Sequence, residues 1–181
     1  GGESANEIDA SGYPGQTHLI GNGGDDVLIG GKGSNELRGG AGNDILLGND
    51  NADLLNGDIG MDFLVGGNGA DSLFGQDDGD ILIGDRTVYG NTIEAYRAIL
   101  AEWTSGNSYS QRVANISTGT GLAAGYKLAS ATLKDDFVID ELAGGSPATD
   151  ESSLDWFFHK LGSLAPDAIT DLDAGETTTG Y

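Results

Sequence analysis

From Gly21 to Ile83 the chain reads GNGGDDVLI, GGKGSNELR, GGAGNDILL, GNDNADLLN, GDIGMDFLV, GGNGADSLF and GQDDGDILI, seven nine-residue units in unbroken frame. The first position is glycine in every unit and the sixth is aspartate except at Asn35. The eighth is leucine throughout: Leu28, Leu37, Leu46, Leu55, Leu64, Leu73 and Leu82. A single unit of this length buries nothing, so a fixed leucine column implies units stacked on one another around a shared core.

Two weaker units precede the array. Gly12–Ile20 stays in frame with Thr17 at the sixth position, and GGESANEID at residues 1–9 is offset by two residues. Both are expected to fray or to continue an array upstream. In the regular units glycine suits a tight six-residue turn, where the backbone takes positive φ or approaches a neighbour closely. The last three residues suit a short strand whose middle residue points inward, which makes the leucine column the core.

Composition narrows the chemistry. The chain of 181 residues has 29 acidic against 8 basic side chains, a formal charge of −21, which self-repels and is compacted by cations. Such a surface repels nucleic-acid phosphates and anionic lipid, so neither partner is expected. With no cysteine there is neither a disulfide nor a thiolate metal site, and oxygen ligation of a hard cation is the remaining route to cross-linking. No apolar run reaches membrane-spanning length, and the opening Gly1-Gly2-Glu3 lies in mid-pattern without a leader, as expected of a fragment of something longer.

The units resemble the RTX (repeat-in-toxin) nonapeptide GGxGxDxUx, a calcium-binding β-helix repeat. The resemblance implies a mainly β fold, a right-handed parallel β-roll in residues 1–84, with a small α+β cap over 85–181. It further implies two units per coil, so turns of alternate units stack at 18-residue spacing. One side then carries Asp26, Asp44, Asp62 and Asp80, and the other Thr17, Asn35, Asp53 and Asp71. Calcium is expected between stacked turns, held by these carboxylates and by carbonyls of the glycine turns: Gly21, Gly23, Gly39, Gly42, Gly57 and Gly60 on the first side, Gly30, Gly33, Gly66 and Gly69 on the second. Asp78 joins the first set. Tighter sites are expected on the first side, and four turns per side suggest roughly six ions in all.

The seventh and ninth positions flank the leucine and face outward. Units beginning at 21, 39, 57 and 75 place Val27, Ile29, Ile45, Leu47, Phe63, Val65, Ile81 and Ile83 there, whereas the intervening units place Glu36, Arg38, Leu54, Asn56, Ser72 and Phe74. Burying a side chain of this kind is worth ~1.5–3 kcal/mol, so an apolar patch of this size calls for a cover. The cover is expected to be the chain's own C-terminal part, the alternative being a partner protein or a further domain of a parent protein.

After Gly84 the frame fails at Asp85-Arg86-Thr87. Asn91 and Glu94 suggest a helix cap, and Ile93, Tyr96, Leu100 and Trp103 form an apolar stripe, which predicts a helix over about 92–104. A second helix is expected over Tyr109–Ile116, with extended pieces at Gly125–Leu128 and Phe137–Ile139. Gly144-Gly145-Ser146 and Leu154-Asp155-Trp156-Phe157-Phe158 read as one more unit split by an insertion, which makes Asp155 a further ligand. Residues 167–176 resemble a stretch that follows the last repeats of RTX proteins.

Trp103, Trp156, Phe157 and Phe158 are expected in a core rather than a ligand groove, and Asp135-Asp136 in a solvated turn. His18 reads as a surface residue, and His159 has no second histidine for a zinc site. No nucleophile elbow or phosphate loop is present, so no catalysis is expected. The resemblance implies a non-enzymatic module of a Gram-negative bacterial protein, secreted by the type I route or held at the cell surface, that folds on calcium. Alternatives are an adhesin module for a protein or glycan, or the tail of a secreted hydrolase or protease. An ice-binding face would need a threonine or asparagine ladder, which is not visible.

Overall fold

The computed structural model describes residues 1–134, 136, 138–145, 154–159, 168, 169 and 177–180. In chain order the strands begin β1 (Glu7–Asp9), β2 (His18–Gly23), β3 (Val27–Ile29), β4 (Glu36–Ala41) and β5 (Ile45–Asp50). They continue with β6 (Leu54–Ile59), β7 (Phe63–Asn68), β8 (Ser72–Asp77), β9 (Ile81–Ile83), β10 (Arg86–Thr87) and β11 (Leu133–Lys134). The last four are β12 (Glu141–Gly145), β13 (Trp156–His159), β14 (Ala168–Ile169) and β15 (Thr177–Gly180).

Apart from β10 and β11, which pair antiparallel with each other, odd and even strands separate into two parallel sheets, as a flattened coil requires. One sheet has the order β1-β3-β5-β7-β9-β13-β15 and the other β14-β12-β8-β6-β4-β2. Registers follow the repeat: Leu28 pairs with Leu46, Leu46 with Leu64 and Leu64 with Leu82, each 18 residues on. The offset of the first unit survives in the pairing of Ile8 with Leu28, 20 residues apart. The architecture is a parallel β-roll with one strand of each sheet per coil.

Between the sheets the leucine column forms a closed core, every repeat leucine from Leu28 to Leu82 being fully buried. Leu142 and Phe157 extend the column, and Ile8, Leu19 and Ile169 pack at its ends. Residue 84 therefore ends the uninterrupted repeats without ending the sheets. β12 pairs with β8 and β13 with β9, across an excursion of more than fifty residues.

The excursion contains α1 (Ile93–Trp103), α2 (Tyr109–Thr118) and short 3-10 turns at Gly121–Ala123 and Ser130–Thr132. The N-cap of α1 is Thr92, with no side-chain cap, in place of the expected Asn91–Glu94 arrangement. α2 starts at Ser108, whose side chain accepts from the Gln111 amide, and ends at left-handed Gly119. Gly125–Leu128 forms no strand, and of the extended piece expected at Phe137–Ile139 the described residues Val138 and Ile139 form none, β12 beginning at Glu141. Asp135, Phe137, residues 146–153 and most of 167–176 lie outside the described residues.

Val27, Ile29, Ile45, Leu47, Phe63, Val65, Ile81 and Ile83 share one buried cluster with Ile93, Tyr96, Ile99, Leu100, Trp103, Trp156 and Phe158. Polar contacts fix the docking. The Trp103 indole donates to the Gly79 carbonyl at 2.7 Å, Tyr109 donates to the Asp155 carbonyl at 2.9 Å, and Arg97 pairs with Glu7 at 2.7 Å. Trp103 stacks on Trp156, and Phe63 meets Tyr96 edge-on.

Candidate metal centre

Each turn runs from the glycine at position one to the acid at position six. Outside the turn that begins at Gly30, positions two and four take positive φ, with 79° at Asn22, 84° at Asn49, 69° at Asn51 and 71° at Asp78, and above 100° at Gly42, Gly60 and Gly69. Asparagine, aspartate and glycine tolerate that conformation best, which explains their alternation there. Gly23 stands at position three, and its neighbour Gly24 holds the left-handed fourth position.

The glycine at position one answers a different need. A Cβ on Gly39 would collide with Oδ2 of Asp44 and lie 2.8 Å from the Gly57 carbonyl. On Gly57 it would collide with Oδ2 of Asp62 and lie 2.8 Å from the Gly75 carbonyl. The same crowding recurs at Gly21, Gly48, Gly66 and Gly75. In every regular coil, then, a carboxylate oxygen and a carbonyl oxygen of the next coil converge over a bare Cα.

The other carboxylate oxygen has a structural task. Oδ1 of each sixth-position acid accepts the backbone N–H of the equivalent residue one coil before. Asp26 donates to Asp44, Asp44 to Asp62 and Asp62 to Asp80, each at 2.7 Å, and Asp80 donates to Asp155 at 2.6 Å. On the opposite side Asn35 donates to Asp53 at 2.6 Å, Asp53 to Asp71 at 2.8 Å and Asp71 to Asp140 at 2.8 Å.

Oδ2 of Asp26, Asp44, Asp53, Asp62, Asp71 and Asp80 is buried with no hydrogen-bond donor. A carboxylate oxygen so placed requires a cation or a proton. Burial, the largest cause, pushes Asp44 and Asp53 up from 3.8 to about 7 and Asp71 to about 8, and it raises Asp62 and Asp80 strongly, helped at Asp80 by the charges of Asp62 and Asp155. The converging donors are all oxygen, as a hard divalent cation prefers. Among the described residues no three acidic or histidine side chains gather at one point, so backbone carbonyls must supply most of any coordination shell.

Asn35 differs from its neighbours. Its Oδ1 accepts from the Thr17 hydroxyl at 2.7 Å, and its Nδ2 donates to the carbonyls of Gly31 and Gly48 and to Oδ1 of Asp53 at 3.2, 3.1 and 2.9 Å. An N–H donor thus points where other turns present a bare oxygen. Asp78, expected as a ligand, is exposed at position four, and its charge acts on Asp62 and Asp80.

Asp140 was not singled out in the sequence, although Asp140-Glu141-Leu142-Ala143-Gly144 carries the acid, leucine and glycine of positions six, eight and one. The long gap after Gly84 hides its frame. Asp136 is no solvated turn residue: it is half-buried and its carboxylate accepts from the Gly69 amide at 2.5 Å. His18 is exposed and lies 3.2 Å from Glu36.

The profile of the RTX calcium-binding nonapeptide repeat (4 copies) matches residues 20–55 and 56–86. No curated protein and no solved structure matches the chain. Strict nine-residue frame, parallel coils, orphaned carboxylate oxygens over glycine turns and the family match agree, and residues 20–86 are RTX calcium-binding nonapeptide repeats.

Proposed function

We propose that this chain is a calcium-triggered folding module of an extracellular bacterial protein, without catalytic activity of its own. The observation that carries the reading is the row of buried, donor-less Oδ2 atoms on Asp26, Asp44, Asp53, Asp62, Asp71 and Asp80. Each ion would be held by these oxygens together with carbonyls of position-one glycines such as Gly39, Gly57, Gly66 and Gly75. Calcium supplies the positive charge that lets the carboxylates stay ionised in a buried row.

Where calcium is scarce, −21 formal charges and uncompensated buried acids oppose folding. Outside the cell, modules of this class bind calcium with dissociation constants of ~10⁻⁴–10⁻³ M, and each ion that binds only the folded chain adds RT ln(1 + [L]/Kd) of stability. Several coupled sites turn this into a switch suited to export as an open chain and folding afterwards. Among the described residues no helix is long and apolar enough to cross a membrane.

Equilibrium dialysis against calcium tests the assignment. The account expects several ions per chain, on the order of six, with selectivity over magnesium. Binding of none, or equal binding of magnesium, would contradict it.

A further inference from the structure

We propose that the base of the helical excursion is itself a calcium site, in which Gly84, where the chain leaves the roll, and Asp140, where it returns, close over the turn Gly66–Asp71. The proposal rests on the calcium reading of the roll and extends it beyond residue 86, where the family match ends.

Asp71 is 2% exposed, and its Oδ2 has no hydrogen-bond donor. That oxygen and the Gly84 carbonyl both crowd the point where a Cβ on Gly66 would stand. The next rung of the column comes from after the excursion: Oδ1 of Asp140 accepts the Asp71 amide at 2.8 Å, and the Asp140 carboxylate fills the space over Gly84. Asp136 adds a carboxylate to the same turn through the Gly69 amide, and its own amide donates to Asp85 at 3.0 Å. Asp136 and Asp140 thus both reach the turn Gly66–Asp71 through its backbone amides, and burial first, then the charges of Asp140, Asp53 and Asp136, push the Asp71 carboxyl upward.

The geometry of the excursion fits a staple. Its two ends pair antiparallel in β10 and β11, Arg86 opposite Lys134 and Thr87 opposite Leu133. An ion held between Gly66–Asp71, Gly84 and Asp140 ties both ends to the roll at one point, so calcium controls the seating of α1 and α2 as well as the coiling of the repeats.

Calcium counting by equilibrium dialysis, with hydrogen exchange over residues 93–118, tests this on the full chain. Asp140→Asn is expected to bind one ion fewer than wild type and, at saturating calcium, to exchange helix amides about tenfold faster. Asp26→Asn, at the far end of the roll, is expected to lose calcium without that acceleration. An unchanged ion count in Asp140→Asn overturns the site, and a lost ion with unchanged helix exchange overturns the staple. If Asp140→Asn does not fold, Asp136→Asn replaces it; there the ion that seats the helices is expected to need several-fold more calcium, and an unchanged requirement overturns the proposal. A wild type that binds calcium while both variants match it refutes this site alone, whereas a wild type that binds none refutes the calcium reading of the whole roll.

Discussion

Each turn divides the two oxygens of one carboxylate between structure and ligation. Oδ1 ties a coil to its neighbour, and Oδ2 faces a glycine Cα and a carbonyl. Removing the space should therefore be as damaging as removing the charge. Gly57→Ala places a methyl against Oδ2 of Asp62, and we expect it to lose an ion in a dialysis count while a half-buried substitution on the outer sheet face such as Ser72→Ala loses none. Asn35 predicts the opposite result. Its amide N–H groups occupy the position of a cation, so Asn35→Asp should convert a self-satisfied turn into a ligand and raise the calcium count by one; an unchanged count would show that the amide does not stand in for an ion.

The raised acids also set a pH dependence. In calcium-free buffer Asp44, Asp53 and Asp71 titrate at about 7, 7 and 8 in the folded chain against 3.8 for the unfolded one. A raised folded value contributes stability that is complete below the unfolded value and is lost as pH rises through the folded value. The calcium-free roll should thus be most stable below about pH 4 and melt as pH climbs towards 8, which circular dichroism in metal-free buffer would follow. At this scale the sequence was legible for the sixth-position acids and the position-one glycines, because both recur at a fixed period. It was not legible for Asn35, whose role depends on which amide atom faces the Gly48 carbonyl.

Among the elements, the apolar strands of one sheet and the stripe of α1 are two halves of one core. The stripe Ile93, Tyr96, Leu100 and Trp103 could be read from spacing alone, and so could the need for a cover over Val27 through Ile83. Trp103 is fully buried, stacked on Trp156 and hydrogen-bonded to Gly79, so Trp103→Ala should cost about 3–5 kcal/mol in denaturant unfolding at saturating calcium. A loss below about 1 kcal/mol would mean that the helices contribute little to the roll. β12 escaped the sequence reading for a physical reason. Pairing of Leu142 with Leu73 is a contact across the excursion, and a frame count that stops at Gly84 has no register to carry across it. The split unit ending in Trp156-Phe157-Phe158 was easier, because three apolar residues follow an acid just as in the regular repeats.

Among the described residues the molecule is a solenoid with one dressed and one bare side. Helices cover the sheet that carries Phe63, while the other outer face shows Leu54, 41% exposed, beside the pair Arg38 and Asp58. Its acid columns run the length of the roll and, through Asp140 and Asp155, past the excursion. A chain with this charge and this many buried carboxylates should depend on its ions for the fold itself. The most direct measurement is a calcium titration of the chain by far-ultraviolet circular dichroism at neutral pH, started in chelator and repeated with excess magnesium. We predict a cooperative transition from coil to β signal that calcium drives and magnesium does not; a β signal already complete in chelator would contradict the account, because the leucine column and the helices would then hold the roll without any cation.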